Sequence, residues 1–174
     1  DRPGVTSATE PEAALRLANG LRQSGLQAGD PVGILAGNSP AYLETYLACQ
    51  LAGLVAVPLN YRSVPDDVAY VLGNCGARGA FADTGYRAVL DAALPRLPAL
   101  QPDRIIELGS ARHLDLRNDG TAEALPPVPP LAPAVIFYTS GTTGFPKGAT
   151  MSHLNVLARL VSWGWEFGLN ATDI

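Results

Sequence analysis

Between Pro11 and Leu108 the sequence alternates helix-like and strand-like apolar patterns four times, with connections of only a few residues. Alternation this short leaves little room for anything but parallel strands joined by right-handed helical crossovers. Ala14, Leu15, Ala18 and Leu21 recur at helical spacing from Pro11, and Gly25 can close that helix. Pro31 to Ala36 reads as a buried strand. Ser39 and Pro40 open a second helix, a hydroxyl cap followed by a residue whose missing N–H costs nothing there. It should run to about Ala52, stop at Gly53 and lead into a strand from Leu54 to Val57. Ser63-Val64-Pro65-Asp66 opens a third helix, followed by a strand (79–82), a helix (86–94) and a strand (104–108). Little inward–outward alternation marks these strands, as expected when both sheet faces are covered. The fold class predicted is α/β, a layered, mostly parallel sheet with helices on both faces.

The pattern breaks after Leu108. Residues 1–108 read as a first α/β part, and 109–133 as an irregular, Pro-rich connector containing Pro126, Pro127, Pro129, Pro130 and Pro133. Residues 134–174 then hold a strand (134–138), a polar loop (139–147), a second strand (148–151) and a helix capped by Ser152. Met151 stands where it can staple against Val156. Leu154, Leu157, Ala158, Val161 and Trp165 form one apolar face, which predicts core packing for the tryptophans rather than a cofactor role.

The loop, Thr139-Ser140-Gly141-Thr142-Thr143-Gly144-Phe145-Pro146-Lys147-Gly148, is where the chemistry concentrates. Thr139, Ser140, Thr142 and Thr143 offer rotatable donors for phosphate oxygens. Gly141 and Gly144 let backbone N–H groups approach an anion without a Cβ in the way. Lys147 is the one lysine among twelve basic residues, a compact point charge suited to a phosphate chain that must later leave. The bland alternative is a solvated Ser/Thr/Gly turn. It is not the P-loop of ATPases, since Phe145-Pro146 separates Gly144 from Lys147 and Gly148-Ala149 follows.

Other features carry less. Asp66-Asp67 suits first-turn capping better than a catalytic dyad. Charged residues are 16% of the chain, against about 25% in ordinary domains, so some surface is expected to be covered by protein. Net charge is -4 and the arginines are scattered, which argues against a nucleic-acid partner. Cys49 and Cys75 match neither a disulfide framework nor a metal knuckle, and suggest reduced thiols in a cytoplasmic protein. The apolar stretch from Ala41 to Leu59 is interrupted by Glu44, Gln50, Gly53 and Pro58, so no membrane span is expected. His113 receives no role. His153 suits packing or capping, with a site role as the alternative.

The segment Tyr138 to Gly148 resembles the signature loop of the adenylate-forming superfamily, which includes acyl-CoA synthetases, nonribosomal adenylation domains and luciferase-type ligases. Ala52-Gly53 through Val57-Pro58-Leu59-Asn60-Tyr61-Arg62 is similar to a second core motif, in the form common among acyl-CoA synthetases. Leu17-Ala18-Asn19 to Gly29-Asp30, then Asn38-Ser39-Pro40, fits the family's usual opening. The resemblance implies a partial N-terminal domain of a two-step ligase that uses ATP, Mg2+ and coenzyme A. A carboxylic acid, a fatty acid by expectation, becomes an acyl-adenylate and then a CoA thioester. Carried over by position, Thr139, Ser140, Gly141, Thr142, Thr143, Gly144 and Lys147 would hold the β- and γ-phosphates. Thr139 would also contact Mg2+, and Lys147 would neutralise the leaving pyrophosphate.

A fatty-acyl-AMP ligase, a nonribosomal adenylation domain loading a carrier protein, and a non-catalytic nucleotide-binding module stand as alternatives. The sequence lacks an initiator Met and ends at Ala171-Thr172-Asp173-Ile174, ahead of the family's magnesium-binding Glu, ribose-binding Asp, hinge and C-terminal lysine. The expectation is therefore an inactive fragment whose partner is the remainder of its own enzyme.

Overall fold

The computed structural model describes residues 10–139 and 145–168. Along the chain run α1 (Glu10–Gln23), β1 (Pro31–Leu35), α2 (Pro40–Leu51), β2 (Val55–Pro58), α3 (Pro65–Cys75) and β3 (Gly79–Ala82). They are followed by α4 (Arg87–Ala93), β4 (Ile105–Glu107), α5 (Ala111–Asp119), β5 (Pro133–Thr139), β6 (Lys147–Ser152) and α6 (His153–Phe167). The six strands form one sheet in the order β4-β3-β1-β2-β5-β6. All neighbours are parallel except the β5–β6 hairpin, which is antiparallel. Because β5 pairs with β2 at Ala56↔Val135, the segments on either side of residues 109–133 share this sheet.

The predicted helix starts follow from side-chain chemistry. Ser39 Oγ accepts from the Tyr42 N–H at 3.1 Å, with Pro40 opening α2. At α3 the cap position is Val64, not Ser63, and Asp67 answers it by accepting from the Val64 N–H at 3.3 Å. Asp66 pairs with Arg96 at 2.8 Å on the exposed surface, so both carboxylates act locally and form no dyad. Ser152 and Asn155 cap α6 reciprocally, at 3.1 and 3.2 Å.

Both faces of the sheet are covered. On one, Leu17, Ala18 and Leu21 of α1, Ala48 and Cys49 of α2 and Leu116 of α5 pack against Val32, Ile34, Phe81, Ile106 and Val135. On the other, Val68, Ala69 and Leu72 of α3 and Leu90 and Ala93 of α4 pack against Leu35, Ala80, Ala82 and Ile105. Adjacent strand residues such as Ile34 and Leu35 thus serve opposite cores, which is why the strands read as unbroken apolar runs.

Two expectations are corrected. Residues 109–125, expected to be irregular, contain α5, whose N-terminus is capped by Ser110 Oγ accepting from His113 N–H at 3.3 Å. Nine residues with only His113 and Leu116 buried give too little periodicity to be seen in the sequence. Core packing for the tryptophans also fails: Trp165 is 90% exposed, and Leu154, Leu157 and Val161 on the same face are exposed as well. Met151 and Val156 are half-buried and pack against the core, but no described residue of α6 is fully buried.

Candidate phosphate-binding site

Every parallel strand brings its carboxyl end to the same edge of the sheet, the edge where open α/β sheets bind ligands. The turns after β1, β2 and β3 meet there, with the Tyr61 and Tyr86 rings 6.4 Å apart. Gly37, after β1, donates its N–H to Asp83 Oδ2, after β3, at 2.8 Å. Asn60-Tyr61-Arg62 follow β2: Asn60 Oδ1 accepts from the Arg62 N–H at 2.9 Å, and the Arg62 guanidinium lies 5.3 Å from the Tyr61 ring centre.

Of the predicted site residues, Thr139 and Lys147 are described, and Ser140, Gly141, Thr142, Thr143 and Gly144 lie outside the described residues. Thr139 and Lys147 were expected within the loop. They are the last paired residues of the β5–β6 ladder, directly opposite each other, because both strands run one residue further than their apolar patterns indicate. Both are exposed. Among the described residues Lys147 makes no ion pair, so its charge is available to a ligand.

The hairpin divides labour between its faces. Val135 lies in the core formed with α1, α2 and α5, and side chains two apart share a face, so Phe137 and Thr139 lie on that side. Their cross-strand partners Ala149 and Lys147 do too. Ile136, Tyr138 and Gly148 occupy the opposite side, toward α3. There the Tyr138 hydroxyl donates to Asn74 Oδ1 at 2.6 Å. The Tyr70 hydroxyl donates to the Pro146 carbonyl at 3.1 Å, and the Tyr70 ring stacks on Phe145 with centres 4.9 Å apart. Burial, then the neighbouring Cys75 and Tyr70, push the Tyr138 phenol up to about 12, so it stays a donor at physiological pH. Gly148 makes room for this ring: a Cβ there would stand 3.1 Å from Tyr138 Cζ and 2.8 Å from Ile136 Cγ2.

Sequence reasoning passed over Tyr70 and Asn74. Their partners lie 76 and 64 residues away, so no local pattern marks them. His153 opens α6, half-buried, its main-chain N–H donating to the Ala132 carbonyl at 3.1 Å. Its Nε2 is buried without a partner, and burial lowers its pKa. It borders a shallow apolar hollow beside Leu51 and Pro126–Val128, away from Thr139 and Lys147.

Mg2+ takes hard oxygen ligands and usually keeps waters and substrate phosphates in its shell. Among the described residues no three His, Cys, Asp or Glu side chains gather into a metal site, so Thr139 could supply one hydroxyl and phosphates the rest. No helix among the described residues is long and apolar enough to cross a membrane.

A family model described as AMP-binding enzyme matches residues 9–174. A fatty acid–[acyl-carrier-protein] ligase of Streptomyces coeruleorubidus is 34% identical over 149 residues, covering 82% of this chain and 27% of the relative. A feruloyl-CoA synthase of an Amycolatopsis species is 38% identical over 176 residues, covering 99% and 33%. Among solved structures, a fatty acyl CoA synthetase of Mycobacterium tuberculosis superposes with a TM-score of 0.79 at 25% identity, over 91% of this chain and 31% of that one. ATP-bound MatB from Rhodopseudomonas palustris gives 0.77 at 28% identity, over 92% and 32%. The chain therefore spans about a third of the length of these relatives.

Proposed function

Since this chain belongs to the AMP-binding enzyme family, we propose that its β5–β6 hairpin holds the β- and γ-phosphates of ATP in an acid–thiol ligase. One observation carries the reading: Thr139 and Lys147 face each other across the last rung of the hairpin, exposed at the edge of the sheet where its parallel strands end.

The chemistry asked of this hairpin is electrostatic. An oxygen of the substrate carboxylate attacks the α-phosphorus of ATP. The bond from that phosphorus to the bridging oxygen breaks, and its electron pair leaves with pyrophosphate. Negative charge grows on the leaving group as that bond lengthens, and donors already in place stabilise it without reorganising. Lys147 supplies a full positive charge, and Thr139 and the Ser140, Thr142 and Thr143 hydroxyls supply hydrogen bonds. The N–H groups of Gly141 and Gly144 add more. Mg2+, bound through the phosphates with the Thr139 hydroxyl among its ligands, would neutralise further charge. A thiol sulfur then attacks the acyl carbonyl carbon, giving up its proton to water, and AMP departs with the electrons of the broken C–O bond.

For the acceptor we favour coenzyme A, and for the acid a fatty acid. The two CoA-named relatives support the first, and the two fatty-acid-named relatives support the second. The test is acid-dependent exchange of labelled pyrophosphate into ATP by the complete polypeptide, over a panel of fatty and aromatic acids. Exchange without any acid requirement, or none with any acid, would remove the ligase reading and leave a nucleotide-binding module. Exchange with no acyl-CoA on adding CoA would move the acceptor to a carrier protein.

A further inference from the structure

Resting on that reading of the hairpin, we propose that Tyr70 and Asn74 of α3 are positioning residues that fix the strand ends carrying Thr139 and Lys147. Through them, α3 sets the affinity for ATP and pyrophosphate.

The two side chains are four residues apart, one helical turn, and so share a face. Burial of Val68, Ala69 and Leu72 in the core beneath α3 leaves Tyr70 and Asn74 on the flank beside the hairpin. Each grips the residue immediately before a phosphate-binding one. Asn74 accepts from Tyr138, which precedes Thr139, and Tyr70 donates to the carbonyl of Pro146, which precedes Lys147. The stack of Tyr70 on Phe145 widens the second grip. Neither anchor competes for the ligand, because Tyr138 lies on the face opposite Thr139 and Lys147.

The hairpin needs such support. β6 is an edge strand, and β5 is in register with β2 at Ala56↔Val135, near its base. A two-stranded ribbon alone is marginally stable. The far rungs, Tyr138↔Gly148 and Thr139↔Lys147, are the ones the site requires. A hydrogen bond from outside the ribbon is worth about 1 kcal/mol net, enough to shift the population of the closed rung about fivefold. The glycine at 148 suits this arrangement, since a Cβ there would crowd the Tyr138 ring at 3.1 Å and Ile136 at 2.8 Å.

The test compares Asn74→Ala, Tyr70→Leu and Tyr70→Phe in the complete polypeptide. Asn74 is exposed, so its substitution leaves the core intact, and Tyr70→Phe removes one hydroxyl while keeping the stack. Two readouts are taken: amide hydrogen exchange at Lys147 and Gly148, and KM values for ATP, pyrophosphate and acid in the exchange reaction. Asn74→Ala and Tyr70→Leu should speed amide exchange there and raise KM for ATP and pyrophosphate about fivefold each. KM for the acid and the melting temperature should hold, with Tyr70→Phe falling between.

Unchanged amide exchange, or unchanged KM for ATP with faster exchange, would overturn the proposal. A uniform drop in activity matching the folded fraction would do the same. Lys147→Ala in parallel separates the two levels. If it abolishes pyrophosphate exchange while the α3 variants behave as wild type, positioning alone fails. If Lys147→Ala also behaves as wild type, the phosphate reading fails and takes positioning with it.

Discussion

Gly20 of α1 lies against the main-chain carbonyl of Leu116 in α5, so close that a Cβ on Gly20 would overlap the carbonyl oxygen. The contact is reciprocal, since a Cβ on Gly120, just beyond α5, would overlap the Arg16 carbonyl. Arg16 Nη1 donates to the Gly120 carbonyl at 3.3 Å, and Asn19 Nδ2 to the carbonyls of Thr121 and Glu123 at 3.0 Å. In a free helix Gly20→Ala would gain about 1 kcal/mol of propensity. Here the obstacle is backbone and cannot rotate away, so overpacking should prevail and lower stability by about 1–3 kcal/mol. Chemical denaturation reads this directly; a midpoint that stays or rises would show that α5 does not dock where it is placed.

That contact also shows where sequence reading stops. The parallel core was legible because Val32, Ile34, Ala80, Phe81, Ile105 and Ile106 are long-range partners that each carry a local apolar signal. Ser39 and Ser152 were legible because a cap is satisfied within three residues. α5 was hidden because only His113 and Leu116 of its nine residues are buried, and its docking uses the absence of side chains at Gly20 and Gly120, which leaves no apolar signal. The exposed face of α6 misled in the opposite direction. Its spacing is that of a buried stripe, yet spacing states which residues share a face and says nothing of what covers it. At the site, Lys147 stood out by chemistry alone, whereas Asn74 and Tyr70 gain meaning only from contacts made across the fold.

Lys147→Ala should separate chemistry from stability. The side chain is exposed at the first position of β6 and makes no ion pair among the described residues. Removing it should change stability by no more than about 0.5 kcal/mol. Losing one donor that acts on developing charge costs about 3 kcal/mol, or about a hundredfold in rate. The measurement is the melting temperature alongside pyrophosphate exchange per folded molecule. A sharp fall in melting temperature with unchanged specific exchange would make the residue structural.

The two thiols should be slow to react. Burial pushes Cys49 up to about 12 and Cys75 up to about 11, and only the thiolate attacks. At pH 7.5 about one Cys75 in three thousand is then ionised. Both should label at least about tenfold more slowly than in denaturant. Cys75, half-buried at the end of α3, should lead Cys49, which is fully buried. A disulfide reagent with absorbance readout, with and without guanidinium, measures both rates. Native labelling of Cys49 at the denatured rate would mean that α2 does not pack on the sheet as described.

His113 should make the fold sensitive to mild acid. The ring is 2% exposed, set edge-on to Phe81 at 6.0 Å. Its Nδ1 accepts from the Gly109 N–H at 3.2 Å, which places the neutral ring's proton on Nε2, where no partner meets it. Burial, and secondarily the Arg117 charge, lowers its pKa below the ordinary 6.5. The unfolded chain therefore binds this proton more readily than the folded one, and stability falls as pH drops below about 6.5. The slope can reach about 1.4 kcal/mol per pH unit and levels off below the folded-state pKa. Denaturation midpoints between pH 8 and 5 should fall for the wild type, and His113→Gln should flatten the curve although its stability at pH 8 is lower. His153, whose pKa burial also lowers, is controlled by His153→Gln. If His113→Gln retains the full slope and His153→Gln loses it, the acid-sensitive group sits at the start of α6 and not under α5.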